Sequence, residues 1–280
     1  RNVDRIKHSI GSLGGGNHFI EIDEGSKGEK YMVIHTGSRN LGKQVAEIYQ
    51  QMAIDDMQGA GKLEIESKKL IELYKATGRK SEIEKGLSDL KRKIHSENPK
   101  VPKELCYLTG EHRRMYLNDM RICQFFAMVN RVEIAAVIYE NMGWRYLLGT
   151  SFHTVHNYID HDSNIVRKGA ISAKEGEKLL IPINMRDGCI IGVGKSNDEW
   201  NQSAPHGAGR IMSRSKAKES VSLEEFQESM KGIHSTSVCR STIDESPMAY
   251  KSMGEIINST VDTIDIFDII KPVYNFKASE

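Results

Sequence analysis

The 280-residue sequence has only four cysteines, Cys106, Cys123, Cys189 and Cys239, far apart and with no C-x-x-C pair among them. That spacing argues against a zinc ribbon and against a disulfide framework, and it predicts a reducing, cytoplasmic setting. Charge of one sign is also missing, because 39 Lys and Arg against 38 Asp and Glu leave a formal net charge of +1. This excludes a uniformly basic, histone-like binder, so any RNA must meet a local basic surface. No stretch of about 18 uninterrupted apolar residues occurs, and charged residues stand where a signal peptide would be apolar, so no membrane partner is expected. There is no internal repeat or low-complexity tract, which removes solenoid architectures. Arg1 opens the chain within a dozen residues of a glycine-rich motif, which reads as the body of a longer protein.

What is present is length enough for a substantial core, together with 24 glycines and ten histidines. Residues 17–22 (NHFIEI) and 30–35 (KYMVIH) are apolar or alternating around the turn-like DEGSKG, which predicts a β-hairpin. In 43–57, Val45, Ile48, Met52 and Ile54 recur near helical spacing after a Gly-rich turn. Residues 59–104 are dense in Lys and Glu and read as a charged helical hairpin inserted in the domain, with mainly solvated charges. Residues 111–140 have the pattern of a buried helix, and 165–195 that of short buried strands punctuated by glycine. The tail ends in the exposed-looking NFKASE. The expected fold is α+β, one compact mixed-sheet domain over 1–280 with the helical insertion at 59–104.

Four stretches combine histidine with small or amide residues: GGGNHFIE (Asn17, His18, Glu21), IHTGSRNLG (His35, Ser38, Arg39), HTVHNYID (His153, His156, Asn157) and SAPHGAGR (His206). Histidine is the commonest transition-metal ligand and glycine lets phosphate approach the backbone, so the set points to a metal and phosphate site. His153 and His156, spaced i and i+3, would share a face if their segment were helical. His8, His95, His112, His161 and His234 lack such company and are read as ordinary. Pro205 on one side of His206, and Gly207, Ala208 and Gly209 on the other, leave room for something large to approach the ring.

Taken in order, GSLGGGNHFIEI, HTGSRNLG, HRRMYLNDM, VHNYI, RKGAISA, IPINMRDG, SAPHGAGR and VYNFKA resemble the RtcB family of RNA ligases over nearly the whole chain. The resemblance implies a GTP- and manganese-dependent enzyme joining an RNA 3′-phosphate or 2′,3′-cyclic phosphate to a 5′-hydroxyl through a histidine-GMP intermediate. His206 matches the nucleophile, and His18, His35 and His156 match ligands of the two expected Mn2+ ions. Asn17 and Asn157 match guanylate or phosphate contacts, Glu21 and Lys277 match base contacts, and Tyr250 is a weaker nucleotide neighbour. Gly207, Ala208, Gly209 and Arg210 would lie against phosphate. A neutral imidazole, with a pKa of about 6.5, is a competent nucleophile without a strong base. By charge alone, Arg39, Arg113, Arg114, Arg167, Arg186 and Arg214 are candidates for an RNA channel.

The chain departs from the family in two places. The early D-x-x-C segment, whose Asp and Cys ligate metal in the family, is not found, which reads either as an N-terminal portion lying outside the sequence, the favoured reading, or as a chain that cannot hold two metals and is inactive as it stands. The usual P-G-S-M stands as Pro182, Ile183, Asn184 and Met185. Asn184 can replace a serine hydroxyl as a hydrogen-bonding group, and Cys189 falls where a guanine-contacting serine is common. Two alternatives accompany the ligase reading: a metal-dependent phosphodiesterase or phosphatase in which His206 is a ligand or acid, and a non-catalytic RNA-binding relative.

Overall fold

A computed structural model describes residues 3–97, 101–145 and 149–277. The chain divides into two compact units, one formed by 1–39 with 124–280 and the other by 40–123. In chain order the elements are α1 (Val3–Lys7), β1 (Phe19–Glu24), β2 (Lys30–His35), α2 (Arg39–Met57), α3 (Ala60–Ala76), α4 (Ile83–Glu97) and α5 (Gly110–Met142). There follow β3 (Tyr158–Asp160), β4 (Ile165–Arg167), β5 (Ala170–Ser172), β6 (Lys178–Asn184), β7 (Gly188–Gly194), β8 (Ser203–Pro205), α6 (Arg214–Ser220), α7 (Leu223–Ser229), β9 (His234–Ser235), α8 (Met253–Thr260) and β10 (Ile264–Lys277). The mixture of helix and sheet is α+β, as expected from the sequence.

In the first unit the main sheet runs β2-β1-β10-β7-β6, with β9 parallel to β10 and every other pairing antiparallel. The expected hairpin is β1 and β2, with Phe19 directly opposite His35. Pro182 is tolerated in β6 because that strand lies at the sheet edge, where a missing N–H breaks no ladder. Alternation along the strands sends residues to two faces. Leu179, Ile181, Ile183, Ile190 and Ile264 pack with Ile256 of α8 and with Ala204 and Ala208. Phe19, Val33, Cys189, Ile191 and Ile270 form a second cluster. A third surrounds Phe226, with Met185, Val221, Met230 and Ile243. α7 and α8 open with full capping boxes, Ser222 with Glu225 and Ser252 with Glu255, which satisfy otherwise unpaired N-terminal N–H groups.

In the second unit α3 and α4 pack together as the predicted helical hairpin. Their Lys and Glu side chains are exposed, with pairs such as Lys62–Glu97 at 2.9 Å and Lys68–Glu64 at 2.7 Å. The helix read at 43–57 begins earlier, at Arg39, and the helix read at 111–140 spans Gly110–Met142. By length and composition alone, this last helix could cross a membrane. It carries buried Asn130 in the middle of its apolar stretch.

Two local expectations are corrected. Residues 153–157 are not helical: 153–156 carry no regular secondary structure, Asn157 takes a left-handed conformation, φ 57°, and β3 follows at Tyr158. The exposed-looking tail is instead the end of a 14-residue strand, β10, in which Asn275 and Lys277 are buried. Residues 278–280 of that tail lie outside the described residues.

Candidate active site

Asn130 draws two of the histidine loops together. Its amide donates to the Ser12 and Gly37 carbonyls at 3.2 and 3.3 Å, and its oxygen accepts from the Ser12 N–H at 3.2 Å. Thr36 Oγ1 adds a bond to the Leu13 carbonyl at 2.7 Å. The loop before β1 and the loop after β2 are therefore fastened to each other, which sets His18 near His35 with ring centroids 5.9 Å apart. His35 packs edge-on to Phe19 at 5.1 Å and to His156 at 5.4 Å. The Nε2 atoms of His35 and His156 are 3.2 Å apart. His156 in turn lies 4.8 Å from the His206 ring. Four imidazoles from four distant stretches thus form one chain.

Burial lowers the pKa of all three non-nucleophilic rings. For His35 it is pushed down to about 3, with His156 the next cause. His18 is lowered by burial and then by Arg39, and His156 by burial and then by His206. Neutral rings keep a lone pair for a cation. Nδ1 of His156 is buried with no hydrogen-bond partner. Neutral imidazole nitrogens with such an orphan among them are the donor type a transition metal takes.

The nucleophile candidate is held from both sides. β8 pairs with β5, placing Ala170 opposite Pro205 and Ile171 opposite Ala204. Ala204 and Ala208, flanking His206, are both buried in the core. Gly207 closes on β6: a Cβ there would stand 3.1 Å from the Pro182 carbonyl, the same oxygen that accepts from Ala208 N–H at 3.1 Å. Nδ1 of His206 is 2.7 Å from the Gly169 carbonyl. A carbonyl only accepts, so Nδ1 is the donor, and in the neutral tautomer that this selects Nε2 is the nitrogen with the lone pair. Asn157 supports the arrangement by accepting the Gly169 N–H at 2.8 Å.

The other sequence candidates are placed as follows. Asn17 is exposed beside His18. Asn184 builds the turn between β6 and β7, accepting from the Arg186 and Asp187 N–H groups at 3.0 and 2.9 Å. Met185 is buried near Phe226. Gly209 is exposed. Arg210 bonds to the carbonyls of Met212 and Asp244 and lies 3.2 Å from the Tyr250 hydroxyl. Tyr250 donates to Glu245 at 2.7 Å, and buried Lys277 pairs with the same carboxylate. Glu21 and Cys189 are buried, with Cys189 Sγ 3.9 Å from Glu21 Oε2.

Of the arginines, Arg39 stands at the imidazole chain, its guanidinium 3.5 Å from His18 Nδ1 and 3.1 Å from Ser12 Oγ. A Cβ on Gly14 would fall 1.5 Å from that guanidinium, so the glycine run before His18 makes room for it. Arg167 is buried against Asp160, and Arg214 pairs with Asp244 and Glu245. Arg186 pairs with Asp187. Arg113 and Arg114 belong to the 40–123 unit, where Arg114 pairs with Glu111. His153 stays outside the imidazole chain, 3.5 Å from Arg131 Nε.

Sequence reasoning missed Asn130, Gly169, Glu245, Asp23 and Asn275. A polar residue inside the apolar run FFAMVNRV was a signal for Asn130, and the period-2 spacing of Glu21 and Asp23 was one for a shared inward face. Asp23 has no hydrogen-bond partner on either oxygen, and neither has Asn275 Oδ1. Burial pushes the Glu21 carboxyl up to about 8 and the Asp23 carboxyl up to about 7.

The family described as tRNA-splicing ligase RtcB matches residues 1–278. The chain is 27% identical over 290 residues to the RNA-splicing ligase RtcB of Escherichia coli (strain K12), covering 97% of this chain and 62% of that protein. It is 27% identical over 289 residues to the tRNA-splicing ligase RtcB of Aeropyrum pernix, covering 90% of this chain and 55% of the relative. With the tRNA-splicing ligase RtcB of Methanopyrus kandleri it shares 24% over 322 residues, 94% of this chain and 29% of the relative. The chain thus spans less than two thirds of the length of these relatives.

Proposed function

Because the chain belongs to the tRNA-splicing ligase RtcB family, we propose that it is the nucleotidyl-transferring part of an RNA ligase that carries GMP on His206. The observation that supports this most is the hydrogen bond from His206 Nδ1 to the Gly169 carbonyl, 2.7 Å, beside three further imidazoles. It leaves Nε2 as a neutral nucleophile aimed by two core-anchored alanines.

In the proposed first step the Nε2 lone pair of His206 attacks the α-phosphorus of GTP, the bond to the β-phosphate oxygen breaks and pyrophosphate leaves. No proton has to move on the ring. Nδ1 keeps its hydrogen, and the Gly169 carbonyl stabilises the positive charge that the ring acquires. An oxygen of the RNA 3′-phosphate then takes GMP from Nε2, returning His206 to its starting tautomer. Attack by a 5′-hydroxyl on the activated end releases GMP and joins the strands. Divalent cations of the manganese type, held by His18, His35 and His156, would neutralise triphosphate charge when bound. We assign to Arg39, which lies beside His18 at the end of the imidazole chain, the contact to an RNA or nucleotide phosphate. Glu21, Cys189 and Lys277, the base contacts implied by the resemblance, are buried, with Glu21 bonded to Asn275, Cys189 facing Glu21 and Lys277 paired with Glu245. The proposed first step therefore rests on His206 and not on them.

The test is incubation with GTP labelled at the α-phosphate and Mn2+. Acid-labile, base-stable label on the chain, lost in His206→Ala, is expected. Unlabelled protein that still hydrolyses RNA phosphate ends would replace this reading with a metal-dependent phosphodiesterase.

A further inference from the structure

Among the described residues, the arginines that are buried or half-buried are Arg39, Arg131, Arg167 and Arg210. Arg167 is paired with Asp160 and Arg210 with Glu245. Arg39, at the His18 end of the imidazole chain, and Arg131 form no ion pair among the described residues. Arg131 follows Asn130 on α5. Its Nη1 donates to the Thr36 carbonyl at 3.1 Å, and its Nε to His153 Nδ1 at 3.5 Å. Both acceptors are neutral, and burial bears against the charge. A guanidinium drawn out of water without a counter-ion carries a desolvation cost that a bound anion offsets.

The donors left over point to where that anion goes. Nη2 of Arg131 has no partner among the described residues and is not one of the sealed, unsatisfied atoms, so solvent reaches it. Arginine only donates, so His153 Nδ1 is the acceptor, and in the neutral ring Nε2 holds the hydrogen. His153 also lines a cavity of about 190 Å³, together with Thr154, Tyr158, Ser172, Glu177 and Lys178. That is several times the roughly 30 Å³ share of one water. Inside it, Glu177 Oε2 accepts from Ser172 Oγ at 2.5 Å and from the Lys174 N–H at 3.1 Å, which leaves Oε1 as an acceptor. Thr36 follows His35, and His153 precedes His156 by three residues. The guanidinium therefore joins the segments that carry those two rings, and its charge bears on His156.

We propose that Arg131 and His153 form a second phosphate site, which holds a backbone phosphodiester of the RNA beside the imidazole chain. A guanidinium and a ring N–H are the donors that phosphate oxygens take. The cavity behind His153 decides between RNA and other phosphates. A phosphodiester brings a sugar and a base to fill it, and a base offers N–H groups to Glu177 Oε1, whereas a terminal or free phosphate would leave it empty. The Glu177 carboxylate also repels further phosphate charge from the cavity. The site takes its ligand from the proposed ligase function, but RNA binding is read without GMP transfer. Absence of label on His206 and absence of RNA at Arg131 are thus separate results.

The experiment titrates the full chain, without GTP, into a fluorescein-labelled single-stranded RNA decamer with a 3′-phosphate and follows anisotropy at several salt concentrations. Arg131→Gln should weaken binding about tenfold, the size of one lost charge-assisted hydrogen bond. The slope of log affinity against log salt should become shallower by about 0.7, the value for one phosphate contact on a single strand. The loss should be alike for decamers of different sequence. Arg131→Lys should keep the slope, which a purely structural role of the guanidinium would not predict. Unchanged affinity and slope in Arg131→Gln overturn the proposal. So does a loss of GTP affinity with RNA binding intact, because the phosphate would then be the nucleotide's. Should the variants fail to fold, phenylglyoxal modification of Arg131 in the unmutated chain, read by peptide mass, decides: the decamer should slow it and GTP or inorganic phosphate should not. Equal modification with and without the decamer overturns the site.

Discussion

The Gly169 carbonyl and His206 Nδ1, 2.7 Å apart, are joined across paired strands β5 and β8, so the tautomer of the ring is set by sheet pairing. Asn157 governs the carbonyl by holding the Gly169 N–H at 2.8 Å. In Asn157→Gly the left-handed backbone survives but this support does not. Transfer of labelled GMP to His206 should slow by about 10²-fold, the size expected when a reacting group shifts by about 1 Å. Thermal unfolding should change little. Equal rates in the two proteins would show that the carbonyl needs no such support.

Gly14 and Arg39 compete for one volume. In Gly14→Ala the new Cβ would fall 1.5 Å from the Arg39 guanidinium, and φ at this position is +82°. The variant should lose roughly 1–3 kcal/mol from backbone strain alone, with a further steric loss. Adding Arg39→Ala should restore the steric share and leave the strain. Urea unfolding of both single variants and the double variant measures the coupling, and strictly additive losses would contradict the steric account.

Phe226 fills the centre of the third core cluster with no exposed surface. Phe226→Ala should cost about 3–5 kcal/mol, the range for an emptied aromatic site. The midpoint of denaturant unfolding reads this directly.

Asp160 gives the acid limb of stability. Burial opposes its charge, but hydrogen bonds from Lys174, Ser163 and Arg167 outweigh it and hold the carboxyl below its ordinary value of 3.8. A depressed folded-state value means that the stabilisation is whole above the unfolded value, near pH 4, and is lost as the pH falls further. Thermal midpoints of the native chain should therefore drop more steeply below pH 4 than those of Asp160→Asn, and the gap between the two should close toward acid. A gap that stays constant with pH would refute the linkage.

Cation binding to the imidazole chain should stabilise the fold, by about 2.7 kcal/mol at a hundredfold excess over Kd, and so raise the thermal midpoint as Mn2+ is added. The shift should vanish in His35→Ala/His156→Ala. A shift of the same size in that double variant would locate the manganese elsewhere.

Some of this was readable from the residues themselves. Val45, Ile48 and Met52 announced α2, and NHFIEI and KYMVIH announced the hairpin, because helical and strand periods are local properties. The i, i+3 spacing of His153 and His156 fitted a helix equally well, and only the folded chain shows that 153–157 have no helical structure. The tail NFKASE looked exposed by composition, yet Lys277 is buried because Glu245, 32 residues away, supplies the opposite charge. Arg167, a candidate RNA contact by charge, is buried with Asp160 and Ser203 as its partners.

The sequence by itself determined which groups are on hand: a histidine between proline and glycine, three further histidines beside small or amide residues, and strands with polar residues on alternate positions. Tertiary structure alone decided which nitrogen of His206 is free and that Glu21 meets Cys189, 168 residues away in the chain. The reason is physical. Side-chain periodicity is encoded within a few neighbours, whereas the closing of loops more than a hundred residues long is settled by the pairing of whole strands and the packing between them.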